Sequence, residues 1–334
     1  MTTNLLPVSI IGVGYHAPER IMKNAEFETF LETSDEWIRE RTGIRERRIA
    51  PDDHALSDLA IPAARQAISH AGIAPSEIDL IVVATSTPDM YMPSTASIVQ
   101  KALGIKSCPC FDMEAACTGF VYAMTTASQF LATGKYRTAL VIGGDLLSKF
   151  LTWNDRSTAV LFGDGAGAVV LRGGEEEGLL ATYLGADGEG GRHLELPIGS
   201  RVPPGKGNHG VRMNGKEIYK FAVDIIPKSV KNVLEQSGMT LEQVDHFILH
   251  QANLRIMEAA AKRMGVSMDR LVINIDRMAN TSAGTIPVAL AEAVVSGRIQ
   301  RGDTICLVGF GSGLTWASAL LRWTCDPPFP EEQP

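Results

Sequence analysis

The stretch that decides the fold reads FDMEAACTGF and covers residues 111–120. A β-type run at residues 108–113 leads through small residues to Cys117 and Gly119, and a helix with one apolar face is predicted over residues 120–134. Helix N–H groups at such a turn favour an anion, which lowers a thiol pKa and makes a nucleophile. A lone cysteine is nevertheless more often a buried core residue. The rest of the chain decides between the two interpretations.

Composition indicates a globular protein with a large core. The 334 residues suggest about two structural units, with 45% hydrophobic and 21% charged residues. The net charge of -7 gives no reason to expect nucleic-acid binding. Five sparse cysteines fit neither a disulfide framework nor a zinc site. The N-terminus does not resemble a signal peptide and no apolar stretch approaches about 18 residues, so we expect a cytoplasmic protein without a membrane span.

Two glycine-rich stretches look like phosphate-binding loops but lack the context of one. Gly12 and Gly14 follow a predicted strand, yet the next segment is helical and no second strand ends in an acidic residue about 20 residues on. Residues 162–167 lead into a strand, whereas a phosphate cradle needs a helix start. We therefore expect these glycines to allow close backbone packing.

The remaining pattern alternates helices with buried strands. Residues 24–42 are predicted to be helical, with capping residues from Thr33 and a stop at Gly43. Ser57 is the expected N-cap of a second helix. Residues 78–85 and 138–145 are nearly continuous apolar runs, as in parallel sheets. The polar residues 172–178 are the candidate boundary between halves 1–174 and 175–334, and 186–210 form a long, glycine-rich loop of a kind that is often functional.

The pattern of the first half returns from Ser229 onwards. Residues 63–73 match residues 229–239, and each segment leads to an aspartate, Asp79 or Asp245, at the start of a buried strand. Both halves follow the order helix, strand, helix, strand, helix, strand. Such a duplication predicts two similar parallel-type sheets covered by helices and related by pseudo-symmetry.

The repeat brings chemistry-bearing residues to equivalent places. His250 falls opposite Ala84 at a strand end, and the turn carrying Cys117 falls close to the turn carrying Asn280. Loops at corresponding ends of two docked sheets can converge on one site. The sequence therefore predicts a shared site with a thiol from one half and a histidine and an asparagine from the other.

Several long motifs resemble the thiolase superfamily, and within it the β-ketoacyl-acyl carrier protein synthase III family, over nearly the whole chain. They are residues 33–38 (TSDEWI), 41–47 (RTGIRER), 115–120 (AACTGF), 162–167 (FGDGAG), 250–255 (HQANLR) and 280–284 (NTSAG). The resemblance implies an α/β protein with a five-layered αβαβα fold, built from the two duplicated halves, and a homodimer. It also implies a catalytic triad of Cys117, His250 and Asn280, and Asn280 argues against the Cys-His-His and Cys-His-Glu relatives.

The activity implied by the resemblance is initiation of type II fatty-acid synthesis. The reaction is a decarboxylating Claisen condensation of a short acyl-CoA, with acetyl-CoA preferred, and malonyl-acyl carrier protein, through an acyl-Cys117 intermediate and without a cofactor or metal. The alternative is a specialised-metabolism relative that uses a different acyl primer.

Further site residues are assigned by the same resemblance. The oxyanion hole would use the N–H groups of Cys117 and Ser312, and the acyl pocket Phe310 and, across the dimer, Met92. The chain departs from the family pattern in two places. Met92 stands where the family often has Phe, which leaves the primer length open because Met is flexible. Ser312 and Leu314 stand where some members have Gly and Phe, and a backbone donor survives the change from Gly to Ser if the local φ and ψ allow it. Expected CoA contacts are Trp37, Arg41, Arg156, Gly215 and Asn253. The expected basic rim for the carrier protein is Lys220, Arg255, Lys262 and Arg263, with an ordinary solvated face as the alternative.

Overall fold

Two mixed β-sheets organise the protein, which was studied as a computed structural model that describes residues 5–174, 176–200, 202 and 210–326. The strands are β1 (Val8–His16), β2 (Ile21–Lys23), β3 (Glu46–Arg48), β4 (Leu80–Ala84), β5 (Cys110–Met113), β6 (Thr138–Leu146), β7 (Asp164–Gly173), β8 (Leu179–Ala186), β9 (Leu194–Glu195), β10 (Arg212–Met213), β11 (His246–Leu249), β12 (Thr304–Gly311) and β13 (Thr315–Arg322). The α-helices are α1 (Asn24–Phe27), α2 (Asp35–Thr42), α3 (Leu56–His70), α4 (Thr95–Ala102), α5 (Gly119–Ala132), α6 (Arg156–Ala159), α7 (Gly215–Ser237), α8 (Leu254–Met264), α9 (Ile275–Met278) and α10 (Thr285–Val295).

The strand orders are β1-β7-β6-β4-β5 in the first sheet and β11-β12-β13-β8 in the second. The prediction of parallel-type sheets is only partly right. β4 pairs in parallel with β5 and β6, and β11 with β12, but every other pairing in these two sheets is antiparallel. In the second sheet the cause is local, because the chain turns back between Gly311 and Thr315, which face each other across the ladder.

Five layers follow from what each helix buries. α5 and α10 lie between the sheets, where Phe120 and Ile286 share one core with Val82 and Leu307. α3 and α4 cover the outer face of the first sheet, and α7 and α8 cover that of the second. The strands are apolar on both faces because each sheet is covered twice. This is the expected αβαβα arrangement.

The repeat is visible in hydrogen bonds as well as in topology. Asp79 donates its N–H to the Thr138 carbonyl at 2.9 Å, and Asp245 donates to the Thr304 carbonyl at 2.8 Å. Each carboxylate accepts the N–H of the same threonine. One constant offset along the chain relates both pairs, so β4 and β6 correspond to β11 and β12.

Three local predictions need correction or fall partly outside the described residues. The helix expected over 24–42 is interrupted between α1 and α2, although Ser34 does cap α2 by accepting the Trp37 N–H. Ser57 is not an N-cap, because α3 begins at Leu56 and the Ser57 hydroxyl instead donates to Asp89. Within the loop 186–210, residues 201 and 203–209 lie outside the described residues, and β9 lies in the described part.

Glycines Gly12 and Gly14 serve packing, as predicted. Both lie inside β1, beside α3. A Cβ on Gly12 would lie 2.2 Å from the Ala67 carbonyl oxygen, and one on Gly14 would lie 2.4 Å from that of Ala63. Only a residue without a side chain lets this helix approach the strand so closely. No helix among the described residues has the length and apolarity needed to cross a membrane.

Candidate active site

Cys117 lies in the turn that joins β5 to α5. A 3-10 turn, Ala116–Thr118, places it there, and Ala116 adopts a left-handed φ of 47° to make the change of direction. Its side chain is buried, with 7% of the residue exposed, and it lines a cavity of about 800 Å³. Cys117 therefore forms part of the cavity wall although most of the residue is buried.

His250 follows β11 directly and is 1% exposed. Its Nδ1 lies 2.6 Å from Oγ1 of Thr285, the first residue of α10. Phe310 packs edge-on against the imidazole, with ring centroids 5.1 Å apart. The ring is thus fixed from two sides, and its Nε2 is the nitrogen left for chemistry.

Asn280 is held by backbone contacts to the first half of the chain. Its N–H donates to Leu161 and its carbonyl accepts from Gly163, each at 3.0 Å. Its side-chain Oδ1 accepts the Ser282 N–H at 2.8 Å. This bond fixes the amide group and leaves the Nδ2 hydrogens available as donors.

Ser282 and Thr285 connect the three predicted triad residues. The Ser282 hydroxyl lies 3.5 Å from the Cys117 sulfur, and the Ser282 N–H binds Asn280. The Thr285 hydroxyl donates to the Ser282 carbonyl at 3.1 Å and also forms a hydrogen bond with Nδ1 of His250. One short segment therefore links the thiol, the amide and the imidazole, and neither Ser282 nor Thr285 was singled out from the sequence.

The prediction of a lowered thiol pKa is wrong. Burial raises the pKa of Cys117 to about 12, and the carboxylates of Asp145 and Glu114 act in the same direction. Burial also lowers the pKa of His250 to about 3. Desolvation disfavours the charged thiolate, and here it outweighs the favourable field of the helix N-terminus. At neutral pH the site holds a neutral thiol and a neutral imidazole.

The hydroxyl of Thr285 is compatible with either tautomer of His250. When it donates to Ser282, Nδ1–H donates to Thr285 and Nε2 carries a lone pair that can accept a proton. When it donates to Nδ1, Nε2 carries the hydrogen and can donate. The buried ring can thus act as a base or as a hydrogen-bond donor without becoming charged in the resting site.

The end of β12 lies directly against the backbone of Cys117. A Cβ on Gly311 would lie 2.9 Å from the Cys117 nitrogen, so this approach requires glycine. Ser312 comes next and lines the cavity, with its hydroxyl donating to the Leu194 carbonyl. The predicted oxyanion donors, the N–H groups of Cys117 and Ser312, therefore belong to adjoining backbone segments.

Neither residue predicted for the acyl pocket lines the cavity of its own chain. Phe310 is buried beneath His250, where the packing of β12 places it. Met92 is 85% exposed at the tip of a loop. The residues that line the cavity beyond the cysteine turn include Thr87, Met90, Tyr91, Leu147, Phe150, Phe162, Leu196, Ile198 and Val211.

Three of the predicted CoA contacts form one cluster. The guanidinium groups of Arg156 and Arg41 lie 4.6 and 4.8 Å from the Trp37 ring centroid. Asn253 is the N-cap of α8, and its amide donates to the Arg41 carbonyl, which ties α8 to α2. Gly215 begins α7. The Trp37 ring and the guanidinium groups of two arginines therefore lie in contact. The Asn253 side chain is already engaged in hydrogen bonds with Arg41 and Arg255.

The predicted carrier-protein rim lies on α7 and α8 and is less uniformly basic than expected. Lys220 pairs with Glu217 at 2.8 Å, and Arg263 lies 3.6 Å from Asp224. Arg255 donates to the Glu40 carbonyl at 2.9 Å. These three residues and Lys262 are all exposed. The rim is therefore a mixed surface in which the acids offset part of the positive charge.

Comparison with known proteins identifies the family. The family described as 3-oxoacyl-[acyl-carrier-protein (ACP)] synthase III matches residues 111–188, and its C-terminal family matches residues 234–323. A β-ketoacyl-[acyl-carrier-protein] synthase III from Clostridium acetobutylicum is 51% identical over 95% of this chain and 99% of its own.

Solved structures agree with the sequence comparison. The crystal structure of 3-oxoacyl-[acyl-carrier-protein] synthase III from Aquifex aeolicus VF5 superposes with a TM-score of 0.90 at 42% identity, covering 95% of this chain and all of that one. The priming β-ketosynthase of the R1128 polyketide pathway gives a TM-score of 0.92 at 34% identity, covering 98% and 99% of the two chains. The expected fold class is confirmed, and the chain belongs to the β-ketoacyl-[acyl-carrier-protein] synthase III family.

Proposed function

We propose that this chain initiates type II fatty-acid synthesis by condensing a short acyl-CoA, with acetyl-CoA preferred, with malonyl-acyl carrier protein. The observation that carries the proposal is the chain of contacts from the Cys117 thiol, through Ser282 and Thr285, to His250 and Asn280. Cys117 and Ser282 line the cavity. Family membership supports the reaction class, a condensing acyltransferase.

In the first half-reaction Cys117 attacks the acyl-CoA thioester. Because its pKa is about 12, the thiol must lose its proton during the attack, and Nε2 of neutral His250 accepts it. The N–H groups of Cys117 and Ser312 stabilise the tetrahedral oxyanion. The intermediate then expels the CoA thiolate, which takes the proton back from His250 and leaves acyl-Cys117.

In the second half-reaction malonyl-acyl carrier protein loses carbon dioxide. The thioester oxygen gains the negative charge, and Nε2–H of His250 and the Asn280 amide donate to it. The carbanion attacks the acyl-Cys117 carbonyl, and Cys117 leaves as a thiolate that is reprotonated from solvent through His250. The products are 3-oxoacyl-acyl carrier protein and the free thiol, and neither a cofactor nor a metal takes part in a step.

The CoA end of the acyl donor would lie at Trp37. An indole and a guanidinium both stack on planar bases, so Trp37 and Arg156 suit the adenine and Arg41 its phosphates. Gly215 and Asn253 would follow the pantetheine arm. The rim of Lys220, Arg255, Lys262 and Arg263 would bind the acidic carrier protein, and we place the enzyme in the cytoplasm with these soluble substrates.

A homodimer is part of the proposal. β5 is the edge strand of the first sheet, and the loop beside it exposes Met90, Tyr91 and Met92 by 49%, 67% and 85%. Free strand edges and exposed apolar tips favour association. In a dimer Met92 would complete the partner's acyl pocket, and its flexible side chain would then influence the primer length.

A second candidate is a specialised-metabolism synthase with another primer. It is favoured by the TM-score of 0.92 to a priming β-ketosynthase of a polyketide pathway. The two candidates share every catalytic step and differ only in the acyl group that Cys117 carries.

Intact-mass analysis after exposure to acyl-CoA thioesters of increasing length and branching tests both candidates. We expect one acetyl adduct per chain, formed faster than longer or branched adducts and absent in Cys117→Ala. Faster acylation by a longer or branched donor would favour the polyketide-type alternative. A thioester adduct that persists in Cys117→Ala would overturn the assignment of the nucleophile.

A further inference from the structure

Arg47, in β3, is a fully buried arginine, with 0% of the residue exposed. In the part of the chain that the structure describes, no carboxylate forms an ion pair with it. Burial lowers its pKa to about 10, so it is still a cation at neutral pH. A buried unpaired cation is costly unless hydrogen bonds satisfy it, so its acceptors indicate what it holds in place.

The acceptors of Arg47 come from separate parts of the chain. One terminal nitrogen donates to Asn24 Oδ1 at 2.8 Å and to the Met22 carbonyl at 3.1 Å. The other donates to the Val160 carbonyl at 3.0 Å. The guanidinium also lies over the Phe27 ring, 4.6 Å from its centroid. Its planar fork therefore bridges the segment at α1 to the segment after α6.

Each of these segments leads to one side of the aromatic cluster. Asn24 donates to Asp35 at 2.9 Å, and Asp35 is the first residue of α2, which carries Trp37. Val160 directly follows α6, which begins with Arg156. Arg47 is thus connected through hydrogen bonds to the Asp35 side chain of α2 on one side of the Trp37–Arg156 stack and to the Val160 carbonyl on the other.

The stack is closed in this structure, with the Arg156 guanidinium 4.6 Å from the Trp37 centroid. A base placed between them needs two stacking distances of about 3.5 Å each. The Arg156 side chain must therefore swing away while the backbones that carry both residues keep their spacing. A fixed spacing avoids the cost of ordering the two segments each time a ligand binds.

We propose that Arg47 is a positioning residue for the nucleotide end of acyl-CoA, which acts by holding α2 and α6 at the spacing that lets a base stack between Trp37 and Arg156. The inference rests on the proposed role of Trp37 and Arg156 in CoA binding. Arg47 itself does not touch the ligand.

The test compares two acyl donors that differ only in the nucleotide, acetyl-CoA and acetyl-pantetheine. We expect Arg47→Lys to lower the ratio of kcat/KM for acetyl-CoA to kcat/KM for acetyl-pantetheine about tenfold, through a higher KM for acetyl-CoA, because one ammonium cannot replace the fork. Arg48→Lys, on the same strand, is the matched control and should keep the ratio. Asn24→Ala removes the side chain that joins Arg47 to Asp35 and to the Ile44 carbonyl, and it leaves the bond from Arg47 to Val160 in place. It should lower the ratio about threefold, which keeps the test available if Arg47→Lys does not fold.

Trp37→Ala separates this inference from the proposed function. A low ratio in Trp37→Ala with wild-type ratios in Arg47→Lys and Asn24→Ala would overturn the role of Arg47 alone. An unchanged ratio in Trp37→Ala would overturn the CoA site and the inference with it. Equal losses for both donors in Arg47→Lys would show a general folding role and also overturn the proposal.

Discussion

The two halves of the chain share one framework and differ in the side chains placed on it. The turns Ala116–Thr118 and Ser282–Gly284 each begin with a left-handed residue, with φ of 47° at Ala116 and 51° at Ser282, and each leads into a central helix. The next residue is Cys117 in the first turn and Ala283 in the second. The backbone geometry thus occurs twice, and the cysteine that we propose as the nucleophile occurs once.

The same division holds at the strand ends. His250 and Thr285 form a hydrogen bond at 2.6 Å in the second half, and their counterparts in the first half are Ala84 and Gly119. A Cβ on Gly119 would lie 3.1 Å from that of Ala84, so the polar pair is replaced by close packing. The thiol of the first half therefore has no counterpart in the second, and the hydrogen-bonded pair of the second half has no counterpart in the first.

A third pair of counterparts lies beside the proposed oxyanion hole. Asp145, at the end of β6, accepts the Ala283 N–H at 3.1 Å, and Thr85 and Ser86 also donate to its carboxylate. Its counterpart at the end of β12 is Gly311, which has no side chain and so lets the strand lie against the Cys117 backbone. At the turn of the second half, a carboxylate oxygen supplied by the first half therefore accepts the Ala283 N–H, the counterpart of the proposed oxyanion donor Cys117. The difference teaches that two equivalent turns share a backbone, and that the side chains placed on it would make only one of them reactive in the proposed mechanism.

The largest expected effect comes from replacing Cys117 by the residue found at the same position of the second turn. The second turn has Ala283 at this position, so Cys117→Ala gives both turns the same side chain. We expect acylation and condensation to fall by roughly ten-thousand-fold or more, because the covalent intermediate cannot form. Decarboxylation of malonyl-acyl carrier protein, which depends on His250 and Asn280, should continue. Loss of decarboxylation in a folded Cys117→Ala protein would show that the halves do not divide the chemistry in this way.

The next effect tests whether the close approach of β12 to Cys117 requires a glycine at position 311. Gly311→Ala puts a Cβ 2.9 Å from the Cys117 nitrogen and should displace the backbone that offers the oxyanion donors. We expect kcat for condensation to fall about 100-fold, the usual cost of one oxyanion donor. Gly174→Ala is the matched control, because an added Cβ there meets nothing within 4 Å. Activity close to wild type in Gly311→Ala would contradict the proposal that the approach of β12 to Cys117 requires glycine.

Much of this arrangement was predictable from the sequence, because the repeat leaves a strong pattern. Matching helix stops and the aspartates Asp79 and Asp245 gave the register, and the register brought Cys117 and His250 to equivalent ends. Asn280 entered through the same register and the family resemblance. The pairing directions of the strands were not predictable, because an apolar run that is buried on both faces reads the same in parallel and antiparallel pairs.

The thiol pKa was predicted in the wrong direction because sequence position reports the helix N-terminus but not burial. Thr285 and Asp145 were missed because each looks like an ordinary residue until its counterpart is compared. The exchanges Gly119 for Thr285 and Gly311 for Asp145 were the signal that could have found them. Arg47 carried no such signal, since its complete burial depends on contacts with distant segments.

The third effect concerns the environment of the nucleophile. A thiol with a pKa of about 12 beside an imidazole with a pKa of about 3 does not form an ion pair in the free enzyme. The thiolate fraction then rises about tenfold per pH unit below the thiol pKa, so the rate of Cys117 alkylation by iodoacetamide should rise about 100-fold from pH 7 to pH 9. Mass spectrometry of the Cys117 peptide measures this rate against buried Cys306. A pH-independent rate across this range would indicate a preformed thiolate–imidazolium pair.

The smallest effect tests the hydroxyl that the first half lacks. Thr285→Val keeps the shape of the side chain but removes the only hydrogen-bond partner found for His250 Nδ1 among the described residues. We expect condensation to slow about tenfold, the worth of one hydrogen bond in a buried network, because the ring loses the group that accommodates both tautomers. Thr285→Ser restores the hydroxyl and should return the rate to within about twofold of wild type. The ¹⁵N chemical shifts of His250 report the tautomer directly, and they should differ between Thr285→Val and Thr285→Ser. If Thr285→Val keeps the wild-type rate while Thr285→Ser is slow, packing of the methyl group at the start of α10, rather than the hydrogen bond, is what Thr285 contributes.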